Sequence, residues 1–249
     1  MKLNRIYNEN CLETMARMPD GFVDLIVTSP PYNMRTRIRN GQYTTREWSE
    51  HFSKKYAHFR DDLAIADYYA FHRRAIKEML RVSPIVLYNI QIVTGSKEAV
   101  FKLMGTFRRH IKDVIDWDKG FGQPAMHPQV LNAAHEFILV LESSGEAGRA
   151  IKNSYFSRGE LSNNWKVSRG QKINGESHGA TFPLELARKS IVNFSAEGMV
   201  VYDPFAGIGS TLIAAHQLKR RWIGSEISSE YVELANKRLE PYLMQEQLF

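Results

Sequence analysis

Met199-Val200-Val201-Tyr202-Asp203-Pro204-Phe205-Ala206-Gly207-Ile208-Gly209-Ser210-Thr211 is the stretch that decides the fold. An apolar, β-rich run turns through two glycines into an amphipathic helix, Ser210–Lys219. That order puts closely approachable backbone at the carboxyl end of a strand, where open α/β sheets bind their ligands. The next strand, Trp222–Gly224, leads to Ser225-Glu226, an acidic position about 20 residues beyond the turn that is placed to accept ribose hydroxyls. A dinucleotide site would need G-x-G-x-x-G, but Leu212 stands at the third glycine, and no Gly-Lys-Ser/Thr follows to form a phosphate loop. A nucleoside without a pyrophosphate fits better, and Asp203 could face a cationic amino group such as that of S-adenosylmethionine. On this stretch alone, a tight turn shaped by Gly207 and Gly209 is an equally good reading.

Outward from it the pattern alternates. Pro183–Phe194 reads as a helix with proline in its first turn, and Ser229–Leu239 as a closing helix. Toward the N-terminus, Val23–Val27 reads as a buried strand, 64–82 as a helix, Ile85–Val93 as a strand and Lys97–Phe107 as a short helix. Ile111–Trp117 and Glu136–Leu141 read as two more strands, with Gly120-Phe121-Gly122-Gln123-Pro124 as a loop between them. Strands alternating with helices predict an α/β fold with a doubly wound, mostly parallel sheet. We read 1–249 as a single catalytic domain with two polar, basic interruptions, 33–62 and 142–177.

The chain has 249 residues, 43% hydrophobic and 24% charged. A chain of that size buries roughly 70–75% of its unfolded surface and needs no covalent staple. This composition excludes a collagen, a coiled coil and a wholly disordered chain. Lys and Arg number 33 against 27 Asp and Glu, a net charge of +6, which suits an anionic partner such as nucleic acid. A single cysteine, Cys11, allows neither an intramolecular disulfide nor a cysteine-rich zinc site. No apolar run approaches the roughly 20 residues of a membrane span, and Met1–Arg5 opens no secretory signal. The expected compartment is reducing and cytoplasmic.

Thr28-Ser29-Pro30-Pro31-Tyr32 follows the Val23–Val27 strand directly. The prolines fix the backbone and carry no N–H, so the Ser29 hydroxyl and Pro30 carbonyl could accept both hydrogens of an exocyclic amine. Tyr32 offers a face for a base. With Phe205-Ala206-Gly207-Ile208-Gly209 near the other end, this resembles the amino-group DNA methyltransferases in their permuted beta class, where (D/N/S)PPY precedes FxGxG. The resemblance extends to His178-Gly179-Ala180-Thr181-Phe182-Pro183-Leu184-Glu185-Leu186, to Trp117-Asp118-Lys119, to His135-Glu136-Phe137 and to Tyr7-Asn8-Glu9-Asn10-Cys11. In the last of these, Asn10 replaces a usual aspartate.

That resemblance implies a permuted methyltransferase fold of Rossmann-like type and transfer of methyl from S-adenosylmethionine to an amino group of a flipped base in double-stranded DNA. It makes Ser29, Pro30, Pro31 and Tyr32 catalytic. It gives the donor site to Asp203, Pro204, Phe205, Ala206, Gly207, Gly209, Glu226, Thr181, Phe182, Pro183 and Cys11. As a nucleophile Cys11 is not needed; a small apolar side chain is the plainer reading. DNA contacts are expected from Arg35, Arg37 and Arg39, and from Arg158, Lys166 and Arg169, with sequence reading centred on 142–177. Ser29 favours cytosine N4 over adenine N6, although Asn33 after the tyrosine is common on the adenine side. A homodimer is common in the family. The final Gln245-Glu246-Gln247-Leu248-Phe249 resembles peptides that bind the bacterial replication sliding clamp. Competing readings are a non-catalytic nucleic-acid-binding descendant of the fold, a nicotinamide oxidoreductase, and an RNA or protein methyl acceptor.

Overall fold

The computed structural model describes residues 1–33, 38–39, 42–43, 63–123, 129–168 and 182–245. Arg35, Arg37, Arg169, Thr181 and the final Glu246–Phe249 lie outside the described residues. Ten strands are described: β1 Arg5–Tyr7, β2 Leu25–Thr28, β3 Ile38–Arg39, β4 Gln42–Tyr43, β5 Ile85–Ile90, β6 Ile111–Gln123, β7 Ala133–Glu142, β8 Asn164–Lys166, β9 Val200–Asp203 and β10 Arg221–Ser225. Six helices accompany them: α1 Cys11–Ala16, α2 Ile65–Val82, α3 Lys97–Thr106, α4 Leu184–Phe194, α5 Ser210–Gln217 and α6 Ser229–Gln245.

Eight strands form one sheet in the order β1-β10-β9-β2-β5-β7-β6-β8. The first five are mutually parallel, β7 is antiparallel to β5 and β6, and β8 is parallel to β6. Strands buried on both faces carry continuous apolar runs; Leu25–Thr28 and Ile85–Ile90 are buried throughout. One face packs against α4, α5 and α6 through Leu186, Ile191, Leu212 and Ala235. The other packs against α1, α2 and α3 through Met15, Ile76, Met79 and Leu103. From β9 the chain proceeds to β10 on one side, and from β2 to β5 on the other. The crevice at the carboxyl ends of β9 and β2 is therefore the topological switch point.

Several expectations are corrected. The stretch Gly120–Gln123 read as a loop belongs to β6, where pairing with β7 overrides two glycines. Pro183 caps α4 from outside, at φ −64° and ψ 140°, instead of sitting in its first turn. Helix α6 runs through Pro241 to Gln245, beyond the expected Leu239. β1, α1 and β8 were not anticipated. The interruption 33–62 holds a short antiparallel pair, Ile38–Arg39 with Gln42–Tyr43. The interruption 142–177 is also partly core: Trp165 on β8 is fully buried, and its indole N–H donates to the Ser162 carbonyl at 2.8 Å. Among the described residues no helix is long and apolar enough to cross a membrane.

Candidate active site

The two sequence motifs, far apart in the chain at Ser29 and Asp203, meet at the switch point. The link is direct: the Thr28 hydroxyl at the end of β2 donates to Asp203 Oδ1 at the end of β9, at 2.6 Å. Asp203 Oδ1 also accepts from the Phe205 amide at 3.0 Å. Burial pushes the Asp203 carboxyl up to about 6, with those hydrogen bonds opposing the rise. The carboxylate thus ties the two halves together from beneath.

The turn after β9 is built by Gly207 and Gly209, at φ +51° and +81°, conformations that favour glycine. Gly209 sits against α6: an added Cβ would lie 3.1 Å from the Ala235 Cβ. At Gly207 the nearest atom to such a Cβ is 4.0 Å away, so this backbone borders open space. Glu226, just beyond β10, accepts from the Gly207 amide at 2.9 Å through Oε2 and from the Ser228 amide at 2.9 Å through Oε1. A carboxylate offers about four acceptor positions, so the same group can take a ribose hydroxyl. Phe205 and Gly207 are half-buried, while Pro204 and Ala206 are buried. Open backbone, a half-exposed phenyl ring and a carboxylate at one strand end fit a nucleoside donor. Among the described residues no group of His, Cys, Asp and Glu is placed to hold a metal ion.

Other expected donor residues are less close-knit. Phe182 is half-buried with its ring 6.3 Å from Trp117 on β6, four strands from β9 in the sheet. Pro183 is buried beneath it as the α4 cap. Cys11 opens α1 with its thiol buried, and that burial pushes it up to about 12, so it remains a protonated, apolar wall.

On the β2 side, Ser29 and Tyr32 are half-buried and Pro30 buried. The Tyr68 hydroxyl donates to the Pro31 carbonyl at 3.0 Å. Asn33 is buried at φ +56°, and its amide donates to the Leu63 and Gly95 carbonyls, both at 3.0 Å. Asparagine tolerates this left-handed conformation better than most residues, which accounts for its presence without reference to the base.

Three residues that the sequence reading did not assign to the site complete it. Ser29 Oγ lies 2.8 Å from the Tyr32 hydroxyl, which donates to Glu136 Oε2 at 2.7 Å. The Asn89 amide donates to Glu136 Oε2 at 2.8 Å and to Ser29 Oγ at 3.2 Å. Lys119 Nζ donates to Glu136 Oε1 at 3.1 Å in a buried ion pair. These side chains come from neighbouring strands in the order β2, β5, β7, β6, so the sheet itself lays out the row. A polar residue within an apolar strand was the available signal: Asn89 in Ile85–Ile90 and Glu136 before Phe137–Leu141.

Of the expected DNA contacts, Arg158 and Lys166 are exposed, and Arg39 lies in the short β3 strand. Arg149 and Lys152, in the same interruption, are held by surface ion pairs with Asp113 and Glu146.

The N6_N4_Mtase family model, described as DNA methylase, matches residues 23–237. The type II methyltransferase M.Cfr9I of Citrobacter freundii is 27% identical over 94% of this chain and 87% of its own. The DNA modification methylase TTHA0409 of Thermus thermophilus, so described and solved with S-adenosyl-L-methionine, is 25% identical with a TM-score of 0.62. That match covers 96% of this chain and 95% of the other. The cytosine-N4-specific PvuII DNA methyltransferase shares the fold, with a TM-score of 0.72 at 16% identity over 96% and 86% of the two chains.

Proposed function

The chain belongs to the DNA methylase family, whose members are S-adenosylmethionine-dependent amino-methyltransferases of the cytosine-N4 or adenine-N6 type, and on that premise we propose that it methylates N4 of cytosine in duplex DNA. The observation that carries the site is the Thr28–Asp203 hydrogen bond, which sets the Ser29–Tyr32 segment beside the Phe205–Gly209 turn. When bound, S-adenosylmethionine supplies the methyl group as an electrophilic sulfonium. Phe205, Gly207 and Glu226 would hold it at the crevice.

The amino lone pair of cytosine is delocalised into the ring, so the nitrogen is a weak nucleophile. Ser29 Oγ and the Pro30 carbonyl accept its hydrogens and draw it toward tetrahedral geometry, with the lone pair directed at the donor. This is positioning plus electrostatic stabilisation. The base must leave the helix to reach this depth, and the half-buried Tyr32 ring offers it a stacking face. Exposed Arg158 and Lys166 would meet the phosphates.

Cytosine is preferred over adenine on Ser29 at the first motif position; the structural account of Asn33 removes the feature that pointed the other way. The test is incubation with unmethylated duplex DNA and labelled S-adenosylmethionine, digestion to nucleosides and identification by mass. N4-methylcytosine is expected. N6-methyladenine would overturn the base assignment, and no labelled nucleoside from a donor-binding protein would overturn the activity. The clamp-binding reading of Gln245–Phe249 is carried as a separate proposal; equal recovery of clamp with and without the last five residues would refute it.

A further inference from the structure

We propose that Glu136 is a positioning residue that holds the Ser29 hydroxyl as a hydrogen-bond acceptor, acting through the phenolic oxygen of Tyr32, and that the same chain carries off the proton released on methylation. The inference rests on the reading of Ser29 as the amino-group acceptor.

The polarity follows from counting hydrogens. A carboxylate paired with an ammonium accepts and does not donate, and Glu136 is so paired with Lys119. The single Tyr32 hydroxyl hydrogen therefore goes to Glu136 Oε2, 2.7 Å away. Tyr32 then cannot donate to Ser29, so in their 2.8 Å contact Ser29 is the donor. With its only hydrogen turned toward Tyr32, Ser29 Oγ can meet a substrate amine only with a lone pair. Asn89 supports this order by donating to both Glu136 and Ser29. Its own carbonyl oxygen is buried without a partner, an acceptor left over in a pocket otherwise fully ordered. A neutral amide in place of Glu136 would undo the order, because its NH2 could donate to Tyr32, turn the phenol toward Ser29 and turn the Ser29 hydrogen toward the base.

The chain also closes the proton balance. Methylation forms an N–C bond at the amino nitrogen as the donor's S–C bond breaks, leaving one N–H proton in excess. That proton passes to Ser29 Oγ as the Ser29 proton moves to Tyr32 and the Tyr32 proton to Glu136. The product amine is neutral and Glu136 is a carboxylic acid until it exchanges with solvent. Tyr32 thus acts through its hydroxyl as well as its ring, and a ring without the hydroxyl separates the two roles.

The experiment compares the full chain with Tyr32→Phe, Glu136→Gln, Glu136→Asp, the Tyr32→Phe/Glu136→Gln double variant and Ser29→Ala. Label transfer from S-adenosylmethionine to unmethylated duplex DNA gives kcat and the DNA KM, and calorimetry gives the donor Kd. Tyr32→Phe and Glu136→Gln are each expected to lower kcat about 100-fold, the lower range for a positioned proton acceptor, with donor Kd and DNA KM within about twofold. The double variant falls no further than the worse single variant, as for residues acting in series, and Glu136→Asp recovers part of the rate. Because Glu136→Gln takes the paired carboxylate away from the buried Lys119, a Lys119→Met/Glu136→Gln variant accompanies it, and Tyr32→Phe disturbs no charge. A Tyr32→Phe variant at the full rate, while Ser29→Ala is inactive, overturns this proposal alone. Full activity in Ser29→Ala overturns the reading of the pocket on which it rests.

Discussion

Asp203 joins the two halves of the site at a cost that a pH titration can read. Its folded value of about 6 lies above the ordinary 3.8, so between those values the folded protein binds the proton more tightly than the unfolded chain. Its contribution to stability is then complete below about pH 4 and is lost as the pH rises through 6. Denaturation of Asp203→Asn against the parent should show a difference that moves in favour of the variant between pH 4 and pH 7, on the order of 3 kcal/mol; a difference independent of pH would contradict the assignment. The two turn glycines should separate in the same way. Gly209→Ala places a Cβ against Ala235 in a left-handed conformation and should cost about 1–3 kcal/mol in chemical denaturation. Gly207→Ala meets open space, so it should cost only the left-handed strain, about 1 kcal/mol, while weakening S-adenosylmethionine binding at least tenfold by calorimetry.

At the scale of elements, β8 argues that the 142–177 interruption is anchored in the core. Trp165→Ala should lower stability by about 3–5 kcal/mol, whereas Lys166→Ala, next to it but exposed, should leave the melting temperature unchanged and reduce the salt slope of DNA binding by about 1. A Trp165 variant as stable as the parent would remove β8 from the core. What was legible in the sequence follows from range. The β9–turn–α5 unit, β5 and α2 announce themselves in apolar runs, helical spacing and glycine turns within their own residues. β1 and β8 do not, because three residues each are organised by partners far away: Arg5–Tyr7 by Ile223–Ser225, and Asn164–Lys166 by Asp116–Asp118. β6 was cut short at its glycines because the pairing with β7 that sustains it is not visible locally. The site divides the same way. Ser29–Tyr32 and Phe205–Gly209 are contiguous and were read directly, while Asn89, Lys119 and Glu136 gain their meaning only when β5, β6 and β7 lie side by side.

At the scale of the molecule, the sheet places two chemistries on either side of one crevice. The β9–β10 half presents open backbone and a carboxylate, and the β2-β5-β7-β6 half presents the polar row that ends at Ser29. The halves should therefore fail separately. The most direct measurement is calorimetric S-adenosylmethionine binding together with label transfer to unmethylated duplex DNA, on the same preparations of parent, Ser29→Ala and Glu226→Ala. Ser29→Ala should bind donor as the parent does and transfer at least 100-fold more slowly, while Glu226→Ala should lose donor binding at least tenfold. Transfer by Ser29→Ala at the parent's rate, or donor binding by Glu226→Ala at the parent's affinity, would contradict the assignment of the two halves.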